Sequence, residues 1–582
     1  MNLHKNKAWL IAYFLLFITA TVLCLRLVHE PDLWWQLRTG EYILENKTVP
    51  DVDVFSYTYE GKPWLNVKWG FEVVQATVVK YFGPAFLPIP QIGANILLLL
   101  TIIVLFRQFS FSKNLSRFAK HIALLLLLIG LSYRMNGRPE LSTYLFTSVY
   151  LLIFTGNFYG KKTWIYALIP LQMLWANLHE AYGVGMVMMA IYLAANWYEF
   201  YFKAQKTAVL KEERNRNTLV ILIAMLSVMI HPSGSRMLFH PYEIFTQLSE
   251  NQFTAEILGA SSKAYWQMPA YVSLLFIILS TIALFGFPRK KGLSQIKTVL
   301  QNIPIFYVLL LLAFFYLSLK SYRNIPFLLI VASPLVALQI SLWTKKFSEK
   351  SSLIVAFALV AMFYLSIVSN TFYKAFLPAE VYGLGINPAK NPVGAAQFIA
   401  ENNINGNGFT DYLGSSYLLW KLQPAFKTFV DLRDLDVFAA EDIEIAITCS
   451  TNPQRKTADG REIWQLVDGI YNFNYVAVLN NAAFVNIHRY LYFGNDFTLV
   501  YADELASIYL KNTPMNKPLI DKYGSAKTEI PFQPTEGINA RKQASFISSL
   551  FWPWHKYTSQ SKDEFILKRN AYRTYLGEIN SK

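Results

Sequence analysis

The residues best suited to chemistry lie beside apolar stretches rather than in a polar core. Directly after the first apolar run the chain reads His29-Glu30-Pro31-Asp32-Leu33-Trp34-Trp35-Gln36-Leu37-Arg38-Thr39-Gly40. Carboxylates here, flanked by aromatics that favour the headgroup level of a bilayer, are placed where a lipid-linked substrate presents its phosphate and head group. Glu30 and Asp32 are the first candidates, with Trp34 and Trp35 either contacting substrate or forming an interfacial belt. Asp51 and Asp53 stand two apart, like the acids of a metal site, a spacing that is also frequent by chance. Next comes Tyr133-Arg134-Met135-Asn136-Gly137-Arg138-Pro139-Glu140. Arg134 and Arg138 can clamp a phosphate through charge-assisted hydrogen bonds, unless Arg138 simply pairs with Glu140 in a turn. Trp175-Ala176-Asn177-Leu178-His179-Glu180 ends another apolar run, His231-Pro232-Ser233-Gly234 follows a third, and Arg323 opens a fourth. Ionisable groups at membrane depth are expensive and usually mark a cavity or substrate path. A packed histidine or a snorkelling arginine is the plainer alternative for each taken singly.

The elements that must position these residues are membrane helices. Of 582 residues, 54% are hydrophobic and only 16% charged, against about 25% charged in soluble domains. That composition excludes an ordinary soluble enzyme, and 16% aromatics exclude a disordered chain. About eleven apolar stretches are candidate spans, centred on Phe14, Leu98, Leu126, Leu151, Leu171, Met189, Met225, Ile277, Leu310, Val331 and Leu359. The first lacks a small-residue cleavage site and reads as a retained helix. Alternate connections are basic: Lys5 and Lys7, Arg107 to Lys120, Lys161 and Lys162, Lys203 to Arg216, Arg289 to Lys297, and Lys345 to Lys350. The positive-inside rule makes these cytoplasmic, so the N-terminus is expected inside and the region after the last span outside. Much of the formal +15 charge is then topological, and nucleic acid is not an expected partner. Cys24 and Cys449 offer no disulfide framework.

Three regions are expected: a membrane domain over 1–370 with a large first outer loop at 28–84, an outer α/β domain over 371–512, and a polar helical tail over 513–582. In the α/β domain, Pro392 to Asn402, Ser415 to Leu422 and Ala439 to Thr448 read as helices. Gly408 to Tyr412, Lys427 to Asp431 and Tyr475 to Leu479 read as strands, and Phe497 to Leu510 as a hairpin.

Several motifs together resemble the GT-C superfamily of integral-membrane glycosyltransferases, which includes protein mannosyltransferases and oligosaccharyltransferases. They are the D-x-W-W-x-L-R-x-G run from Asp32 to Gly40, D-x-F-S-Y-T from Asp53 to Thr58, and R-P-E from Arg138 to Glu140. W-x-N-x-H from Trp175 to His179, H-P-x-G from His231 to Gly234 and R-N-I-P from Arg323 to Pro326 complete the set, in order along most of the chain. Gln36 and Leu432 depart from the pattern, which has His and Gly there. The resemblance implies a polytopic α-helical membrane protein of about 11 transmembrane helices with a C-terminal periplasmic α/β domain, in a bacterial inner membrane. It also implies transfer of a sugar or oligosaccharide from a polyprenyl phosphate or pyrophosphate donor to a hydroxyl acceptor, on protein or glycolipid. Asp32 is then the base, with Glu30 as runner-up. Asp53 assists with acceptor or with a divalent metal, Mg²⁺ or Mn²⁺, held by Asp32 and Asp53. Arg134, Arg138 and Arg323 meet the donor phosphate, and Trp34, Trp35, His179, Glu180 and His231 line the substrate path. Asp411-Tyr412 with Gly414 faintly resembles an acceptor-reading segment, but a strand-to-helix turn is the better account. A transporter of lipid-linked sugars is the competing class; it predicts paired internal repeats, and the Asp32 motif does not recur.

Overall fold

A run that is apolar on every side must be buried in protein or in lipid. Each of the eleven expected centres falls inside a helix of the computed structural model, which describes residues 2–202, 208–250, 258–286, 303–503 and 505–524. Among the described residues, five helical stretches are long and apolar enough to cross a membrane: Asn6–Cys24, Pro84–Gln108, Glu140–Phe158, Tyr322–Trp343 and Glu349–Val368. The other six expected spans fall short of that measure in length or apolar content. Ile325–Trp343 is buried along nearly its whole length, packed by Arg117–Leu131, Ala270–Phe285 and Ile305–Lys320, and so forms the centre of the bundle.

The chain divides into two compact units. The first comprises Met1–Arg26, Val67–Phe71 and Pro88–Tyr382; the second comprises Leu27–Asn66, Glu72–Leu87 and the chain from Gly383 onward. The stretch expected to be a loop at 28–84 therefore largely folds with the C-terminal region, and it is not irregular. Pro31–Asn46 is a helix: Pro31 supplies a preset φ at its start, Asp32 meets the positive end of its dipole, and Lys47 closes it in a left-handed turn, donating to the Ile43 carbonyl. Gly40 in this helix has no room for a side chain, because a Cβ would lie 2.1 Å from the Glu72 carbonyl oxygen.

The second unit carries a four-stranded sheet in the order β1-β2-β4-β3, with β1 Gly408–Thr410, β2 Tyr475–Leu479, β3 Phe497–Ala502 and β4 Ala506–Lys511. β1 and β2 are parallel, with Phe409 opposite Val476; the other pairs are antiparallel, with Val476 opposite Tyr509. Gly408 leaves the space that the Tyr475 ring fills. Helices Val393–Glu401, Ser415–Leu422, Ala440–Thr451, Ile463–Tyr471 and Val485–Phe493 accompany the sheet. Lys427 to Asp431 does not join it: its one pairing is a parallel bridge between Thr428 and Ser56, because the Thr428 backbone is taken up by Phe55 and Tyr57. The expected tail contains a helix at Lys517–Tyr523, and its remainder lies outside the described residues.

Candidate active site

In the first unit, two short turns at the ends of apolar helices and the start of a third helix bring charge together. Arg134 closes the turn Ser132–Arg134, Arg323 lies in the turn Tyr322–Asn324, and Glu140 opens the helix Glu140–Phe158. One oxygen of Glu140 receives Arg134 at 2.7 Å and Arg323 at 3.1 Å, with Arg138 at 3.9 Å. Guanidiniums gathered at one place in this way can hold an anion through charge-assisted hydrogen bonds. Side-chain exposure rises from 4% at Arg134 to 20% at Arg138 and 32% at Arg323, so the cluster opens towards solvent on the Arg323 side.

His179 lies in the same cluster. Its Nδ1 is 2.7 Å from the Thr143 hydroxyl, which accepts from Trp175 Nε1 at 2.9 Å. Burial pushes the His179 pKa down to about 4, outweighing the neighbouring Glu140 and Glu180, so it is neutral at physiological pH. Burial acts to raise Glu180, but Lys68 at 3.7 Å, with His179, Arg323 and His240 nearby, brings its pKa to about 2. Asn177 accepts from Trp69 Nε1 at 2.8 Å, which accounts for the asparagine of the W-x-N-x-H run. His231 is buried, accepts from the Ser233 N–H at 3.0 Å, and burial lowers its pKa to about 4. His240 faces Glu243 at 3.2 Å. The structure thus gathers Arg134, Arg138, Arg323, His179 and Glu180. The sequence reading treated Glu140 as a partner in a turn and missed it as the centre; an acid immediately after two outward arginines was the available signal.

In the second unit, Asp32 is half-buried in the first turn of Pro31–Asn46, and Glu30 is buried at its N-cap position. Tyr412 lies within electrostatic reach of Asp32. Burial first, then Asp434, Asp32 and Asp431, hold its phenol protonated. The Asp411 carboxylate accepts from Leu413 N, Gly414 N and Leu479 N, so Asp411 to Gly414 is the strand-to-helix turn. Burial raises its pKa to about 6 against the pull of those three N–H groups.

Asp53, expected to assist with acceptor or metal, is engaged inside the protein. It is fully buried, accepts from Phe55 N at 2.9 Å and from the Ser56 hydroxyl, and is salt-bridged to Arg433. Arg433 also grips Asp431 through Nε at 2.9 Å and Nη2 at 2.8 Å, while Phe55, Trp64 and Phe438 surround its guanidinium at 5.1–5.5 Å. Tyr57 N donates to the Thr428 carbonyl at 3.1 Å and Thr58 Oγ1 to the Phe429 carbonyl at 2.5 Å. The D-x-F-S-Y-T motif is therefore a buried lock onto the segment 428–433. A metal held jointly by Asp32 and Asp53 does not fit, since both oxygens of Asp53 are turned into this lock. Among the described residues no group of three or more His, Cys, Asp or Glu side chains is arranged around a metal position. Trp34 and Trp35 are also enclosed rather than displayed: Trp34 stacks on Trp420 at 4.9 Å and Trp35 meets Trp64 edge-on at 6.3 Å. They pack the helix Pro31–Asn46 instead of forming an interfacial belt.

Among solved structures, the chain aligns over 88% of its length with 74% of the Archaeoglobus fulgidus oligosaccharyltransferase tethered with an acceptor peptide containing the NVT sequon, at 12% identity and a TM-score of 0.51. The same protein in complex with zinc and sulfate aligns over 87% of this chain and 73% of its own, at 12% identity and a TM-score of 0.51. ArnT from Cupriavidus metallidurans bound to undecaprenyl phosphate aligns over 87% of this chain and 97% of its own, at 10% identity and a TM-score of 0.47. No protein-family model and no curated protein matches the sequence. What is shared at such identities is architecture: this is a helical membrane protein with a GT-C-like fold, as the motif resemblance implied.

Proposed function

We propose that the chain is a membrane glycosyltransferase that moves a sugar or oligosaccharide from a polyprenyl-linked phosphate donor to a hydroxyl acceptor at the outer, periplasmic face of a bacterial inner membrane. The observation that carries this reading is the convergence of Arg134, Arg138 and Arg323 on Glu140, which gathers three guanidiniums at one place. A phosphate becomes a good leaving group once positive charge meets the charge it acquires as the anomeric bond breaks. Asp32 takes the proton of the acceptor hydroxyl as its oxygen bonds to the anomeric carbon, and the electron pair of the old bond leaves on the donor phosphate. Direct displacement inverts the anomeric centre. That the neighbouring oligosaccharyltransferase is described with an acceptor peptide, and in another structure with sulfate, supports a peptide acceptor and a tetrahedral-anion site here.

The test compares a deletion strain complemented with wild type, Asp32→Asn or Arg134→Gln, by intact-glycoprotein mass spectrometry beside analysis of lipid-linked sugars. Loss of protein glycans with accumulation of the lipid-linked donor supports the reading with protein as acceptor. An altered glycolipid with normal protein glycans moves the acceptor to the envelope. Unchanged glycans in both pools refute a transferase.

A further inference from the structure

The helix Arg117–Leu131 leads into the turn that carries Arg134, and its other end, about 20 Å away along the axis, holds a buried feature that the transfer chemistry does not use. Asn6, Trp9 and Tyr13 recur at three and four residues, so they share one face of the helix Asn2–Cys24; Arg117 and His121, four apart, share one face of Arg117–Leu131. The two faces meet. Arg117 Nη2 donates to Asn6 Oδ1 at 2.7 Å, and the His121 ring stands edge-on to Trp9 at 6.1 Å and to Tyr13 at 5.1 Å. His121 is fully buried, yet neither of its ring nitrogens has a hydrogen-bond partner among the described residues. The indole N–H of Trp9 beside it is buried and unpartnered as well. Buried polar groups are nearly always satisfied, so donors left open together at one contact call for a partner that the chain does not supply.

Cations gather at the same place. Tyr13 meets His121 through its ring and lies within electrostatic reach of Arg117 and Arg107, and the charges acting on Lys120 are again Arg107 and Arg117. Arg117 is shared with Glu349 at 3.6 Å. Arg107 and Arg117 are exposed and Lys120 is half-buried, so a charged rim is open to solvent while the N–H donors lie beneath it. Beside them on the helix Asn2–Cys24, which is long and apolar enough to cross a membrane, Leu10, Ile11 and Phe14 are exposed apolar side chains. We infer that the facing ends of Asn2–Cys24 and Arg117–Leu131 bind the phosphate headgroup of an anionic phospholipid, with Trp9 and His121 as buried donors, Arg107, Arg117 and Lys120 as cations, and Leu10, Ile11 and Phe14 against the acyl chains. A free phosphate would satisfy the donors and the cations but leave the apolar border uncovered; a phosphate that carries hydrocarbon satisfies both. The basic connection 107–120 puts this end on the side expected to be cytoplasmic, opposite to the transfer reaction, so the lipid is not a substrate.

The experiment uses the full-length protein in detergent. Native mass spectrometry reads Kd for dioleoylphosphatidylglycerol and dioleoylphosphatidylcholine, and a thermal scan reads Tm with each lipid and with millimolar inorganic phosphate. Wild type should bind the phosphatidylglycerol about ten-fold or more tighter than the phosphatidylcholine. Lys120→Gln and Arg107→Gln should each weaken the phosphatidylglycerol about five-fold, the effect of one basic residue at an anionic headgroup, and leave the phosphatidylcholine unchanged. His121→Phe keeps an aromatic ring between Trp9 and Tyr13 and removes both unpaired nitrogens. Without lipid its Tm should equal or exceed that of wild type, while its gain on adding phosphatidylglycerol should be about half the wild-type gain or less. Equal affinity of wild type for the two lipids overturns the site, as does an undiminished phosphatidylglycerol effect in both His121→Phe and Lys120→Gln. An equal Tm gain from inorganic phosphate makes the ligand a free anion and overturns the lipid. A loss in Lys211→Gln, an exposed cation of another basic connection, as large as in Lys120→Gln reduces the effect to general surface charge and overturns the site too.

Discussion

Replacing Arg433 with methionine is the sharpest test of how the segment 53–58 is held. Arg433 is 1% exposed, and it is the cation between two carboxylates, Asp53 and Asp431, that are themselves fully buried. Methionine fills much of the volume among Phe55, Trp64 and Phe438 but leaves both acids without their cation. Removing one partner of a buried ion pair costs about 3–5 kcal/mol, and two orphaned acids place this site at the upper end. For a folded unit of this size that corresponds to a drop of roughly 6–20 °C in Tm. Cys449, fully buried in the helix Ala440–Thr451 of the same unit, is a local reporter. In a Cys24→Ala background, the temperature at which Cys449 reacts with a maleimide should fall by that amount. The loss should be smaller at pH 5 than at pH 7.5. In wild type, burial acts to raise the Asp431 pKa, but Arg433 overrides it and holds the carboxyl below the usual range. Without Arg433 burial is unopposed, the pKa rises, and acid relieves the strain by protonation. Asp53→Asn should lose stability and transfer together. A Cys449 transition within about 2 °C of wild type in Arg433→Met would refute the lock, and loss of transfer at unchanged stability in Asp53→Asn would return Asp53 to the chemistry.

Three other outcomes follow from the same geometry. Asp32→Asn should reduce sugar transfer by about 10²–10⁴-fold with an unshifted Cys449 transition, since Asp32 is only half-buried; a matching fall in stability would make it structural. Gly40→Ala drives a methyl against the Glu72 carbonyl, 2.1 Å from the Cβ position, and should cost at least about 1–3 kcal/mol of stability in a thermal scan; an unaffected Tm would mean the two helices separate freely. Two buried groups at Leu479 titrate with opposite sign: the His488 pKa is lowered to about 4 and the Asp411 pKa is raised to about 6, each by burial. The first loses stability as pH falls from 6.5 through 4, and the second gains it as pH falls through 6 towards 3.8, each by roughly 3 kcal/mol. The two contributions nearly cancel, so the Cys449 transition, which reports the unit that carries this pair and not His179 or His231, should be nearly flat over that interval in wild type. Asp411→Asn, which also strands the Leu479 N–H, should lose stability steadily with acid; a flat profile in the variant would refute the pairing.

The membrane character, the eleven helical centres and most of the α/β elements were legible in the chain because each depends on local periodicity and on the cost of placing apolar or charged residues in the wrong solvent. Gly408 to Tyr412 and Phe497 to Leu510 could be read as strands, and Ser415 to Leu422 as a helix, from their alternation alone. The arginines were legible as candidates because guanidiniums beside apolar stretches, away from the clustered basic connections, are rare without a reason.

Tertiary structure decided what those residues meet. Asp53 and Asp32 are both acids of the first outer segment, and nothing local separates them. Only the arrival of Arg433, 380 residues further on, makes Asp53 a buried strut, while Asp32 stays half-buried. Trp34 and Trp35 read as headgroup aromatics until Trp420 and Trp64 cover them. Glu140 looked like the partner of a neighbouring arginine until Arg323 joined it from 183 residues away. Hydropathy is a property of a segment and survives in the sequence. Compensation of a buried charge is a property of a pair, and its second member is chosen by the fold.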